Sequence, residues 1–137
     1  VWRRYAGEIA NRANAFTGAD ATRPATAALG ASDCAKRYLR QRRRREERFP
    51  SGLFADPAWD ILLDLYICEA EARRVSVSDA CRASAVPEST ALRCIRSMIA
   101  HGLISREGSM SDRRVKYLVL ADGAREMISY WIEETFG

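Results

Sequence analysis

From Asp56 onward, apolar residues recur at helical spacing: Trp59, Leu62, Leu63, Tyr66 and Ala70 form a stripe that Ile61, Leu65 and Cys68 widen. A stripe that broad predicts a helix buried on more than one side. Asp56 as N-cap and Pro57 in the first turn mark its start. The following stretch, "VSVSDACRASAVPESTALRCIRSMIAHG", holds two shorter helices. Ser76 caps the first, and Asp79, three residues on, takes the acidic position of a capping-box-like start. That helix ends around Ser84 to Ala85. Pro87 begins the second, Gly102 terminates it, and the tight link "SAVPE" makes the pair a helix-turn-helix. The period then changes. "LISRE" and "RVKYLVL" read as strands flanking a hairpin loop, "GSMSDR". Helical spacing returns in "ADGAREMISYWIEETF", where Ala124, Met127, Ile128, Trp131 and Ile132 share one face.

Upstream the pattern is thinner. From Ser32 or Asp33, "SDCAKRYLRQRRRREERF" has an N-cap followed by good helix formers. Cys34, Tyr38 and Gln41 mark a narrow stripe and the remainder is arginine, which reads either as a solvated face or as a face for phosphates. Pro50 and Gly52 oppose continuation. Residues 1–31 are expected as a flexible Ala-rich arm with a short helix near "GEIANRANAF". Residues 32–137 are expected as one domain whose N- and C-terminal helices serve dimerisation. The order of four helices, two strands and a helix predicts a mainly α, α+β winged helix with a two-stranded β-wing.

The helix after Pro87 has two unlike faces. At about 100° per residue, Ala91, Cys94, Ile95 and Met98 fall together with Ile99 at the edge. Ser89, Arg93, Arg96 and Ser97 lie opposite, and Thr90 and Leu92 sit on the borders. An ordinary amphipathic helix has this division, and so does a helix that reads DNA. Arg can bond guanine O6 and N7 bidentately, Ser and Thr can bond phosphate or base edges, and Leu92 could meet a thymine methyl. At the hairpin tip "SDRR" places Arg113 and Arg114 on a narrow projection suited to a minor groove or to phosphates. Asp112 is expected to orient one arginine there by a charge-assisted hydrogen bond. A polar helix face followed at once by a basic hairpin is more specific than either alone.

Charge adds location to this picture. The net charge of +4 and pI near 9.1 favour an anionic partner without choosing one. Eight Lys or Arg lie between Lys36 and Arg48, and Arg93, Arg96, Arg106, Arg113, Arg114 and Lys116 form a second group. The four cysteines, Cys34, Cys68, Cys81 and Cys94, lack CxxC spacing, and His101 is the only histidine. No metal site or cofactor is expected, and the thiols read as small buried hydrophobes. One histidine, no Gly-rich phosphate loop and no paired acids argue against an enzyme. No run approaches the roughly 18 apolar residues of a membrane span, so a cytoplasmic, nucleoid-associated protein is expected.

Residues 53–134 resemble the MarR-like winged-helix transcription regulators. "HGLISR" occupies that family's Gly-Leu-x-x-Arg position, and "SDRRVKYLVL" matches its Asp-x-Arg wing followed by an apolar strand. Where the family carries Leu-Thr and then Gly, this chain has Leu120, Ala121 and Ala124, and Asp122 could substitute for the missing threonine cap. The resemblance implies a bacterial homodimer on double-stranded DNA. Ser89, Thr90, Arg93, Arg96 and Ser97 would contact the major groove and read a pseudo-palindrome, and Arg113 and Arg114 would contact the minor groove. Tyr38, Met127, Ile128, Trp131 and Ile132 would form the dimer face. The family also suggests a small aromatic effector, which Trp59, Tyr66 and Trp131 could line unless they are core. The competing function is a winged-helix protein-interaction module with weak or non-specific DNA binding.

Overall fold

The computed structural model describes residues 25–50 and 52–137. Its elements are α1 (Ala25–Arg48), α2 (Pro57–Ala70), β1 (Val75–Ser76), α3 (Val77–Ala83), α4 (Glu88–Ala100), β2 (Ile104–Gly108), β3 (Lys116–Leu120) and α5 (Asp122–Phe136). No helix among the described residues is long and apolar enough to cross a membrane.

α2 is the element on which the others pack. The Asp56 carboxylate accepts the Trp59 backbone N–H and Pro57 occupies the first turn, so the helix starts where the sequence places it. Ile61, Leu63, Leu65, Tyr66, Ile67 and Cys68 are all buried, more than one face could supply. Trp59 and Leu62 are half-buried and Ala70 is exposed, so the stripe centre lies further round the helix than its spacing suggests. Tyr66 Oη and Ser129 Oγ, 2.8 Å apart, link α2 to α5.

α1 begins earlier than expected. Residues 25–31, assigned from the sequence to the arm, are its first turns; the rest of that arm lies outside the described residues. Ser32, read as an N-cap, is 3% exposed inside the helix. Ala31, Ala35 and Leu39 form the buried line while Gln41 is exposed. Alanine is the best helix former and its small side chain allows close approach, so Ala31 and Ala35 pack although they mark no strong apolar stripe.

The arginine run of α1 is divided between protein and solvent. Arg42 Nε donates to Asp60 Oδ1 at 2.7 Å, Arg43 lies 3.9 Å from Asp64, and Lys36 pairs with Glu71. Lys36 meets Glu71 just past the end of α2, while Arg42 and Arg43, further along α1, meet Asp60 and Asp64 nearer the start of α2, so the two helices are antiparallel. Arg45 lies over the Phe54 ring, 5.3 Å from its centroid. Burial lifts the Asp64 carboxyl above its ordinary value despite Arg43 and Arg73 nearby. Arg40, Arg44 and Arg48 remain exposed. Neither a wholly solvated face nor a wholly phosphate-facing one describes this helix.

The expected two-stranded wing is the β2–β3 hairpin, and a short β1 beside β3 extends it to a three-stranded sheet. Its order is β1-β3-β2, all antiparallel, with Val75 opposite Leu118 and Ile104 opposite Leu120. β1 is two residues long, too short for any alternation to show, and its second residue also caps α3.

That cap is a full capping box. Ser76 Oγ accepts the Asp79 N–H at 3.0 Å and Asp79 Oδ2 accepts the Ser76 N–H at 3.2 Å. The Ser76 hydroxyl, then its main-chain N–H and Arg82, hold the Asp79 carboxyl below its ordinary value of 3.8. A depressed carboxylate contributes stability that is present above its ordinary pKa and lost as pH falls through the folded one. Asp79→Ala is therefore expected to cost about 0.3–1 kcal/mol at neutral pH, because its side chain is half exposed and solvent screens it. The difference from wild type should close as pH drops below 3.8. Urea melts across that range test this; a constant difference would contradict it.

Candidate nucleic-acid interface

The turn between α3 and α4 is tightly held. Ser84 is buried and donates its hydroxyl to the Cys81 carbonyl at 2.7 Å. Ala85 follows at φ 57°, in the left-handed region where a Cβ is unfavourable. Pro87 then stands as N-cap without a side-chain bond, leaving the first-turn N–H groups of α4 open.

α4 divides as its periodicity predicts. Ala91, Ile95 and Met98 are buried; Leu92, Cys94 and Ile99 are half-buried. Ser89, Thr90, Arg93, Arg96 and Ser97 are exposed. The helix ends in a Schellman arrangement: Leu103 N–H reaches the Met98 carbonyl and Gly102 N–H the Ile99 carbonyl, both at 3.0 Å, with Gly102 at φ 72°. This closure turns the chain directly into β2, so the hairpin is set relative to α4 by main-chain bonds. The Ala121 N–H to the Leu103 carbonyl, 2.9 Å, ties the end of the sheet to the same point.

On the hairpin, Arg113 and Arg114 are exposed, as are Arg106 and Lys116. Asp112 does make a charge-assisted bond, but to the main chain: its Oδ1 accepts the Arg114 N–H at 2.9 Å. It orders the turn rather than aiming a guanidinium. The sequence reading missed Ser109, whose Oγ accepts the N–H groups of Ser111 and Asp112, each at 3.2 Å. Ser and Asp at successive turn positions were the available signal. Beside the hairpin, Arg74 lies 4.3 Å from the Tyr117 ring centroid and 3.6 Å from Glu107. That glutamate is thereby drawn toward a cation just before β1.

The residues named for a dimer face divide as well. Ile128 and Ile132 are 4% and 2% exposed and belong to the chain's own core. Trp131 packs 5.3 Å from Tyr38 and 4.9 Å from Trp59, with Phe136 against both Tyr38 and Trp131. Met127 is half-buried. The apolar face of α5 packs on α1 and α2, which bury its stripe. Trp59 and Trp131 fill space against each other, and Tyr66 is held by Ser129, which favours the core alternative for these three rings.

Burial raises the thiol pKa of Cys68, with Asp64 adding to it, and that of Cys81, with Glu88 adding. Both are thereby made poor nucleophiles. Among the described residues no group of three or more His, Cys, Asp or Glu could hold a metal ion.

Neither a protein-family model nor a curated protein matches the chain. Solved structures similar to it include the heme sensor protein PefR from Streptococcus agalactiae in complex with heme, at 22% identity and TM-score 0.47, covering 83% of this chain and 76% of that one. The adhesin competence repressor AdcR from Streptococcus pyogenes is similar at 18% identity and TM-score 0.49, covering 67% and 63%. BpsR from Bordetella bronchiseptica, whose DNA binding is regulated by 6-hydroxynicotinic acid, is similar at 18% identity and TM-score 0.45, covering 73% and 76%. By its own element order, helix-turn-helix joined through a Schellman turn to a β-hairpin, the chain is a winged helix-turn-helix protein.

Proposed function

We propose that the chain is a MarR-like transcription regulator that binds double-stranded DNA, with α4 in the major groove and the hairpin tip in the minor groove. One observation carries this reading. The exposed side of α4 holds two guanidiniums and three hydroxyls, and among the described residues Arg93, Arg96, Arg113 and Arg114 form no ion pair. Water-facing arginines on a fixed helix and a fixed turn are suited to exchange hydration for phosphates and base edges. Two copies related by a twofold axis would place two such helices roughly 34 Å apart on an inverted repeat. With Ile128 and Ile132 taken up by the core, the proposed dimer face narrows to Tyr38, Met127, Trp131 and the exposed Phe136 at the end of α5. A small aromatic effector, such as the one named for BpsR, would have to displace the packed rings or bind elsewhere.

Arg93→Ala is expected to cost about 1–3 kcal/mol and to relax preference at one base pair. Arg113→Ala or Arg114→Ala should weaken binding to all sequences alike and lower the salt slope by about 1. Binding isotherms on selected and scrambled duplexes at several salt concentrations separate these patterns. Equal loss on every sequence for Arg93→Ala would count against base reading by α4.

The second reading, a protein-interaction module, is favoured by one feature. Arg37, Arg40, Arg44 and Arg48 recur along the outer side of α1, and all are exposed. An acidic partner there would tolerate loss of the α4 and hairpin arginines but not of this line.

A further inference from the structure

Met110 is fully exposed at the tip of the hairpin, the most exposed large apolar residue among those described. A single exposed apolar side chain is ordinary on a protein surface. What sets this one apart is the turn that holds it. Ser109 N–H donates to the Val115 carbonyl and Val115 N–H to the Asp112 carbonyl, both at 3.2 Å. Ser109 Oγ accepts from the backbone of Ser111 and Asp112 and lies 3.0 Å from Ser111 Oγ. Asp112 fixes the Arg114 amide. Hydrogen bonds therefore brace the backbone on the C-terminal side of Met110, the Ser109 hydroxyl reaches across it, and Arg113 and Arg114 stand three and four residues further on.

We infer that Met110 is an apolar wedge that enters the minor groove and partly unstacks a flexible base step, while Arg113 and Arg114 hold the flanking phosphates. This rests on the DNA-binding reading. The chemistry fits in three respects. Methionine is unbranched and polarizable, so it can slide between base edges. Proteins that kink duplexes through the minor groove insert side chains of this kind. Pyrimidine–purine steps, TA and CA/TG, are the easiest to unstack, so a wedge would add sequence preference without any hydrogen bond to a base. A turn already ordered by its own hydrogen bonds loses little further freedom on insertion.

The test is a set of parallel selections from one duplex library with a random core, using the full chain as wild type, Met110→Ala, Met110→Leu and the Arg113→Ala/Arg114→Ala pair. Because Met110 contacts no core, its variants should fold as the wild type does. Wild type and Met110→Leu should both recover the α4 half-site with a TA or CA/TG step at a fixed distance from it. Met110→Ala should recover the same half-site with the step preference lost. The inference is overturned if Met110→Ala keeps the step preference, or if wild type recovers half-sites with none. If wild type recovers no duplex at all, the DNA-binding reading fails and takes the wedge with it. Loss of recovery by the double arginine variant alone would uphold that reading and leave the step preference to decide the wedge.

Discussion

Ile95→Ala is expected to destabilise the chain by about 2–5 kcal/mol. Ile95 sits at 0% exposure on the inner side of α4, between the buried Ala91 and Met98. Removing three carbons there forfeits their transfer out of water and leaves a cavity that a helix pinned at both ends closes poorly. The pins are the Ala85–Pro87 turn and the Schellman closure at Gly102. Against a typical total of about 5–15 kcal/mol, such a loss is a large share. Urea unfolding should show a lower midpoint with an unchanged slope. Ile95→Val, which removes one methylene, should cost only about 0.5–1.5 kcal/mol. A loss for the alanine variant below about 1 kcal/mol would mean that α4 re-seats freely. The helix would then be a poor platform for placing Arg93 and Arg96.

Asp60→Ala is expected to cost about 3–5 kcal/mol, by a different mechanism. The side chains of Arg42 and Asp60 are 11% and 10% exposed and bonded at 2.7 Å. Burial lowers the Arg42 pKa, but the hydrogen bond and charge of Asp60, helped by Tyr38, outweigh it, and the guanidinium ends above its ordinary value. It stays charged whatever becomes of its partner. Removing Asp60 strands that cation between α1 and α2, with Asp56, 4.0 Å away and half exposed, as the nearest substitute. Asp60→Asn should fall between wild type and Ala because it keeps an acceptor without the charge. Replacing both partners by Met and Leu should be near neutral, since no charge is then left buried. Chemical denaturation of the three variants decides it. If the alanine variant is as stable as wild type, solvent reaches Arg42 and the clasp between α1 and α2 is weak.

Features that local chemistry controls can be read directly along the chain. The Asp56–Pro57 start, the Ser76–Asp79 box, the stop at Gly102 and the two faces of α4 each depend on residues within about one helical turn. Their signals survive whatever the rest of the chain does. The exposed α4 residues and Arg113 and Arg114 were legible for the same reason, because surface positions on a regular helix or a short turn follow from spacing alone. Tertiary structure decided the rest. In α1 the buried line of Ala31, Ala35 and Leu39 packs against α2 and α5, a surface that no pattern within α1 announces. β1 exists only because β3 lies beside Val75 and Ser76. Arg42, Arg43 and Arg45 look the same in sequence as Arg40, Arg44 and Arg48. Only the antiparallel pairing of α1 with α2 brings Asp60, Asp64 and Phe54 to one set and water to the other. Ile128 and Ile132 likewise could have faced a second copy or their own core, and the packing of α5 on α1 and α2 chose the core. Short-range hydrogen bonds and periodicity are written residue by residue, whereas the partner of a buried charge or an apolar stripe depends on which distant surface folding brings to it.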